Sequence, residues 1–289
     1  MFWFIIPLPF LYYSSKLGYR HGLKLIGLTL LIVFVVGRLT GINDLFFIIV
    51  ELSLLGLVMS EIYKRNLGLE KTILLGTGSM LTISFIILFL TAESNNTGPF
   101  DLISHSLKSE IQNIILMSKE AGYNLDKVQL DEAAIVKKWL MISPSLLIIG
   151  TGFVVWLNII LSKPLFKLTK IKYPDFGPLD RWKTPDILVW GIIAAGFTYF
   201  FLPSWLRLVA INALIVMGVI YTFHGLAIVI FYLNKHRFSL FSRVAIYFVL
   251  FSGWFFSLPI LTLAGIFDQW VDFRKIFKIK KSVDDSEEI

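Results

Sequence analysis

Hydrophobic positions along the chain fall into eight long apolar segments instead of alternating with polar ones. These segments cover residues 2–13, 23–36, 45–62, 72–91, 139–161, 187–202, 206–233 and 244–267. A helix of about 20 apolar residues spans the roughly 30 Å hydrocarbon core of a bilayer. The pattern therefore predicts an all-α fold, a polytopic transmembrane helical bundle with about 7–8 membrane segments. The first segment is short and holds Pro7 and Pro9, so it predicts half of a helix or a broken one.

The largest stretch between apolar segments is an insertion at 92–138. Within it, Ile103, Leu107, Ile111 and Ile114 recur with the spacing of one helical face, which indicates an amphipathic extramembrane helix. Two interpretations follow. The insertion is either a helical hairpin lying over the bundle or a lid over a cavity.

A second distinctive stretch, 162–185, is rich in proline, aromatic and basic residues. Proline at this density favours an extended path over another helix. The loop is either a partner-docking strap or an anchored loop with its aromatics at headgroup level and its lysines near anionic lipid. The residues concerned are Pro164, Pro174, Pro178, Pro185, Tyr173, Phe176 and Trp182.

These features divide the chain into four parts. Residues 1–161 form a helical membrane region that includes the insertion, and 162–185 form a cytoplasmic loop. Residues 186–267 form C-terminal membrane helices, and 268–289 an amphipathic basic tail whose acidic end is expected to be disordered.

Charge predicts the orientation of these segments. The net charge is +7, and Lys and Arg lie mainly in short connections, where they mark the cytoplasmic side. The positive-inside rule is obeyed through the fifth segment. Beyond it, simple alternation puts the basic tail outside, so one late segment is expected to be re-entrant, and the short segment 187–202 is the candidate.

Composition narrows the class further. With 56% hydrophobic residues and a mean hydropathy of +0.75, a soluble domain is excluded because its core could not bury so much apolar surface. The absence of cysteine excludes disulfides and thiolate chemistry. No basic face of a soluble domain indicates nucleic-acid binding. We expect a multi-pass integral membrane protein with no cofactor, no metal and no catalytic residue.

Polar residues inside the apolar segments are the candidate ligand-pocket residues. They are costly in lipid unless they face a partner or a cavity. Glu51, Asn158, Tyr221 and His224 are the four, and Asp44 lies on the same helical face as Glu51. They either line a ligand pocket or proton path, or form interhelical hydrogen bonds worth about 0.6 kcal/mol each.

The last apolar segment closes with "GIFDQWVDFRK", residues 265–275. Read as one helix, it has an apolar stripe beside a basic one, which predicts an amphipathic anchor along the membrane surface. The two aspartates would share a face and need a cation from the 162–185 loop, with Arg181 as the candidate. A lipid-phosphate enzyme resting on this pair is disfavoured because the motif is weak. The structural or docking candidates are Trp182, Asp268, Trp270, Asp272 and Arg274.

Five stretches occur together in an order that resembles the YybS-like family of bacterial membrane proteins. They read "LPFLYYSSKLGYRHGL", "WLNIILSKPLFKL", "RWKTPDILVWG", "FHGLAIVIFYL" and "GIFDQWVDFRK". The resemblance implies a relation to the substrate-binding (S) components of energy-coupling-factor transporters, which are six-helix bundles that bind a small metabolite. It also implies a location in the bacterial cytoplasmic (inner) membrane. A further apolar helix upstream of Phe2 is implied as well.

Two functions from different classes remain. The first is a small-molecule-binding transporter subunit, similar to an S-component, with its pocket among the first five segments. The alternative is a non-enzymatic membrane scaffold or assembly partner. Such a protein would bind a cytoplasmic protein or anionic lipid through the 162–185 loop and the basic tail.

Overall fold

The computed structural model describes residues 3–41, 45–122 and 132–275. Over this part of the chain the regular structure is helical, with no strand, which confirms the all-α bundle. Six helices, α2, α3, α4, α6, α8 and α10, are long and apolar enough to cross a membrane. The helices are α1 (Pro7–Leu17), α2 (Tyr19–Thr40), α3 (Leu45–Lys64), α4 (Leu69–Ser94), α5 (Pro99–Glu120), α6 (Glu132–Leu168), α7 (Ile187–Phe201), α8 (Ser204–Lys235), α9 (Leu240–Ser252) and α10 (Trp254–Val271).

The chain divides into two compact units. Unit 1 covers Met1–Phe176 and contains α1 to α6, whereas unit 2 covers Gly177–Ile289 and contains α7 to α10. The boundary falls inside the stretch 162–185 that the sequence marks as one loop. The two halves of that stretch therefore belong to different units, and each is described with its own.

In unit 1 the short α1 is enclosed by longer helices. It packs against α2, α3 and α6, and Leu11 is completely buried. Gly56 of α3 allows the close approach, because a Cβ at that position would overlap the carbonyl oxygen of Pro7. The first segment is thus a half-length helix of 11 residues, held inside the unit by its neighbours.

The amphipathic α5 contacts α4 and α6. Ile103 and Leu107 from its apolar face line a groove together with Leu88 of α4. The following helix, α6, runs well beyond the predicted segment 139–161 at both ends and includes Pro144 and Pro164. The prediction that the extended loop starts at 162 is therefore wrong by about two turns of helix.

Residues 169–176 fold back onto the end of α3 and α6 through aromatic rings. Tyr173 donates a hydrogen bond to the carbonyl oxygen of Ile159 at 2.8 Å, and its ring contacts Tyr63 and Phe166 edge-on. Burial raises the pKa of the Tyr173 hydroxyl above its ordinary value. Tyr173 and Phe176 are therefore half-buried against Tyr63, and the expectation that they lie at headgroup level stays a prediction.

In unit 2, α8 and α10 run parallel and cross closely. Later residues of one helix meet later residues of the other: Thr222 contacts Thr262 at 2.7 Å between hydroxyls, and Tyr232 reaches Phe273. Two glycines make the crossing possible. A Cβ at Gly225 would overlap the carbonyl oxygen of Leu261, and one at Gly265 would overlap that of Tyr221.

The predicted segment 244–267 is two helices instead of one. It breaks at Gly253, a residue with low helix propensity, and the Ser257 hydroxyl caps the freed carbonyl oxygen of Leu250 at 2.5 Å. Because α10 is parallel to α8, the hairpin of α9 and α10 returns the chain to the end of the unit where α8 finishes.

This hairpin explains why the charge pattern conflicts with simple alternation. Residues 177–186, the connection 236–239 and residues 272–275 all lie at one end of unit 2, since Asp180 contacts Asn234 and Phe273 contacts Tyr232. We name this the loop end. Because the last predicted segment is two helices, α9 and α10, the chain reverses direction once more than expected and ends at the loop end. The charge pattern therefore does not require segment 187–202 to be re-entrant. The basic and acidic residues 276–289 of the predicted tail lie outside the described residues.

Candidate functional site

The centre of the site is a buried pair formed by the parallel helices of unit 2. Nε2 of His224 on α8 lies 3.0 Å from Oδ2 of Asp268 on α10, and both side chains are fully buried. Asp268 Oδ1 accepts the backbone N–H of Phe273 at 2.8 Å. An ionised carboxylate only accepts, so Nε2 of His224 donates and carries the proton. The Nδ1 atom has no hydrogen-bond partner among the described residues.

A lysine from the loop neutralises this carboxylate and a second one. Nζ of Lys183 lies 3.8 Å from Oδ2 of Asp268 and 3.0 Å from Oδ2 of Asp272, which Lys275 approaches to 3.1 Å. Burial acts to raise the pKa of Asp272, but hydrogen bonds from the two lysines outweigh it and leave that pKa below its ordinary value. The cation expected from the loop is therefore Lys183. The prediction of Arg181 as this cation was wrong, because no described ion pair joins its side chain to either aspartate. Only its backbone carbonyl oxygen takes part, as an acceptor for Arg274.

Arg274 completes the arrangement by holding the loop backbone. Its guanidinium donates to the carbonyl oxygens of Arg181 at 3.3 Å and Trp182 at 3.0 Å. Burial lowers the pKa of Arg274 from its ordinary value, while Asp268 and Asp272 act in the opposite direction. We name His224, Asp268, Lys183, Asp272 and Arg274 the charged cluster.

Other contacts hold residues 180–184 of the same loop. Gln269 donates to the carbonyl oxygen of Thr184 at 2.9 Å, and Asn234 donates to Asp180 at 3.0 Å. The ring of Trp182 meets that of His224 edge-on with centroids 6.1 Å apart. Residues 180–184 are thus tied to α8 or to α10 and the turn after it, through side chains, backbone carbonyls or both.

This geometry determines what the cluster can do. A His–Asp pair is the arrangement of a general base, yet a base must reach the proton it removes. His224 is fully buried behind Trp182 and Asp268. As described, the cluster orients and immobilises the loop. Its formal charges balance, because Lys183 and Arg274 offset Asp268 and Asp272 while His224 is neutral.

The end of α10 differs from the continuous amphipathic helix that was expected. The helix ends at Val271, since Asp272 has a φ of 43° in the left-handed region, which Asp tolerates better than most residues. Arg274 was predicted to face headgroups, but it is 8% exposed and bonded to the loop. Trp270 is 62% exposed, meets the ring of Phe267 and makes no described contact with the charged cluster.

The four predicted pocket residues fall in different units. Tyr221 and His224 stack on one another in unit 2, where Gln269 neighbours Tyr221. In unit 1, Nδ2 of Asn158 donates to the carbonyl oxygens of Phe4 at 2.7 Å and Val154 at 2.8 Å. Glu51, also in unit 1, is hydrogen-bonded to Ser84 of α4. Asp44 lies outside the described residues.

Several residues that build these sites carried only weak signals in the sequence. Lys183 stands in a loop with many other cations, and Gln269 follows Asp268 without a recognisable motif. Ser84 could have been predicted from the sequence. A short turn joins α3 and α4, so the two helices pack antiparallel and position 84 lies opposite position 51. Within the described ranges 3–41, 45–122 and 132–275, no group of three His, Asp or Glu side chains could hold a metal ion.

Comparison with known proteins agrees with the membrane class of the fold. The chain is 21% identical over 244 residues to the "Uncharacterized protein YybS" of Bacillus subtilis (strain 168), covering 81% of this chain and 76% of that protein. No solved structure matches it. Residues 1–269 match the family described as "Predicted membrane protein (DUF2232)". The chain, with its membrane-spanning helices and its buried charged cluster, belongs to this family of multi-pass membrane proteins.

Proposed function

We propose that the protein is a non-enzymatic assembly partner in the bacterial cytoplasmic membrane, which docks a cytoplasmic protein on the loop end of unit 2. The observation that carries this proposal is the loop 177–186, which side chains of α8, of α10 and of the turn after α10 hold at residues 180–184. Charged residues are expensive among membrane helices and mark functional positions. Here they hold a loop instead of lining a channel. A surface fixed before binding loses less conformational entropy when a partner docks.

The charge of the loop end supports both a cytoplasmic position for this end and a protein as its partner. Arg181, Lys235, Arg237 and Lys275 are exposed at the loop end, and the positive-inside rule assigns such a surface to the cytoplasm. Attraction to anionic lipid needs only mobile cations near the surface. A rigid loop that also holds Asp180 suits a protein with a complementary, partly acidic face better than a uniform lipid surface.

A photo-crosslinking residue at Arg181 tests the proposal in intact membranes. We expect one protein adduct, with the same partner copurifying with the wild-type chain and lost on Trp182→Ala. The matched control is Trp190→Ala, which removes an equally large exposed ring of α7 away from the loop. Adducts with phospholipid alone, or a partner retained equally by both variants, would overturn the docking role.

A second candidate function is a small-molecule-binding transporter subunit similar to an S-component. It is favoured by one observation, the ionisable Glu51 within the candidate span α3. Native mass spectrometry of the protein released directly from membranes tests it. A bound metabolite that is lost on Glu51→Ala and retained on Glu61→Ala would support this role, and an unliganded mass in every case would count against it.

A further inference from the structure

The contacts of Ser84 bear on the protonation state of Glu51. Ser84 Oγ lies within hydrogen-bond reach of two oxygen atoms, the carboxyl Oε1 of Glu51 and the carbonyl oxygen of Met80 at 3.0 Å. A hydroxyl has one proton to donate. The Met80 carbonyl oxygen has no proton to donate. If both hydrogen bonds are well made, the proton of the second one must therefore come from the carboxyl group of Glu51.

We infer that Glu51 binds a proton and stands as a neutral carboxylic acid within the membrane. The acid donates to Ser84 Oγ, and the hydroxyl donates in turn to the Met80 carbonyl. Each oxygen then has a satisfied role, and the chain of two bonds points in one direction. In the alternative, Glu51 is a carboxylate whose one described hydrogen-bond donor is Ser84, in an apolar surrounding where an anion with so few partners is costly.

No described cation lies beside Glu51 to stabilise an anion. Among the described residues, none of the ion pairs includes it. On α4, Glu93 lies nine residues from Ser84, or about 13 Å along the axis, and Lys71 lies about 20 Å away in the other direction. These groups belong to the ends of the helix, and Glu51 faces its middle.

The charged residues of α1 and α2, the other two helices packed on α3, also lie away from Glu51. Contact between the rings of Phe34 and Phe46 sets the register of α2, and Arg38 stacks over Phe34 toward the turn. His21, Arg20 and Lys24 lie at the opposite end of α2, and Glu70 begins α4. On α1, the ammonium of Lys16 lies over the ring of Tyr12 at 5.6 Å. Within residues 3–41, 45–122 and 132–275, a bound proton is the neutralising charge that remains.

The inference concerns unit 1 and does not rest on the docking role of unit 2. It assigns a site for one proton on Glu51. A neutral acid at this position also predicts that Glu51→Gln, which keeps the shape and a donor, leaves the thermal unfolding midpoint unchanged.

Two measurements on the full-length protein in lipid vesicles test the inference. Dicyclohexylcarbodiimide, an apolar reagent, adds to protonated carboxyls and leaves a stable acylurea that peptide mass spectrometry locates. We expect labelling of Glu51 at neutral pH and none at Glu61, which pairs with Lys64 at 2.5 Å. No labelling of Glu51 under these conditions would overturn the inference.

Infrared difference spectra between the wild type and Glu51→Gln supply the second readout. We expect the variant to lose a carbonyl band of a protonated acid, and Ser84→Ala to shift that band because the acid loses its acceptor. Loss of carboxylate bands instead would overturn the inference. Isotope-labelled glutamate in the wild type reads the same band without any substitution, so a poorly folding variant does not decide the result.

Discussion

The imidazole of His224 and the carboxylate of Asp268 lie 3.0 Å apart on two parallel helices, with neither side chain exposed to solvent. Breaking a buried pair by neutralising one partner costs about 3–5 kcal/mol, because the other partners stay buried without compensation. Asp268 also holds Lys183 and the Phe273 backbone, so its loss affects the loop as well as the helices.

We therefore expect Asp268→Asn to lower the free energy of unfolding of unit 2 by about 3–5 kcal/mol. Thermal unfolding in detergent, followed by tryptophan fluorescence, measures the change. Glu120→Gln neutralises an exposed acid at the end of α5 and serves as the control. Equal midpoints for the two variants would contradict a structural role for the pair.

The glycine crossing gives a second prediction with an internal control. Gly225→Ala should destabilise the protein by several kcal/mol, because its methyl group would meet backbone of α10 that cannot move aside. Gly218→Ala, seven residues earlier on α8, meets no atom within 4 Å and should be neutral or gain about 0.5–1 kcal/mol from helix propensity. Equal effects in denaturation measurements would disprove the close crossing.

A third prediction concerns the loop. Lys183→Met removes the ion pairs with Asp268 and Asp272, so the loop should detach more often and be cleaved faster at Arg181 by trypsin. Lys172→Met removes a comparable exposed lysine from unit 1 and should not change the rate at Arg181. Digestion followed by mass spectrometry reads both, and unchanged cleavage in Lys183→Met would show that Arg274 and Gln269 hold the loop alone.

The depressed pKa of Asp272 predicts the pH dependence. A carboxyl whose folded pKa lies below its unfolded value, near 4, stabilises the fold above that value and loses this contribution as the pH falls through the folded pKa. Wild-type stability should therefore decline below about pH 4. In Asp272→Asn this part of the decline should be absent, while stability at pH 7 is lower. Unfolding midpoints at stepwise pH test it, with Asp101→Asn as the exposed control.

The topology of unit 2 is testable with single cysteines, since the chain has none of its own. Cysteines replacing Arg181, Lys235 and Lys275 should react with an impermeant maleimide from one side of the membrane. A cysteine at Ser204, where α8 begins, should react from the other side. Reaction of Lys275→Cys from the side of Ser204→Cys would mean that α9 and α10 do not form a returning hairpin.

The sequence predicted the helical membrane class and most helix positions because long apolar runs leave few alternatives. It missed the break at Gly253, since the flanking residues are as apolar as those of a single span. The charged cluster was anticipated in part: Trp182, His224, Asp268, Asp272 and Arg274 were all singled out. Their assembly was not, because hydropathy carries no information on which polar residues meet when α8 and α10 run parallel.

The direction of helix α10 also determines how the number of helices can change during evolution without changing the membrane orientation of the rest of the chain. The pair α9 and α10 starts and ends at the same end of unit 2, so it does not change the side of the membrane on which the chain continues. A relative could therefore lose or duplicate this pair without inverting the segments after it. Such a loss would remove the contacts of Asp268 with His224 and Lys183 and the hydrogen bond from Gln269 to Thr184. Insertions in this part of the family should therefore come as helix pairs, and those retaining the loop contacts should keep the last helix of each pair parallel to α8.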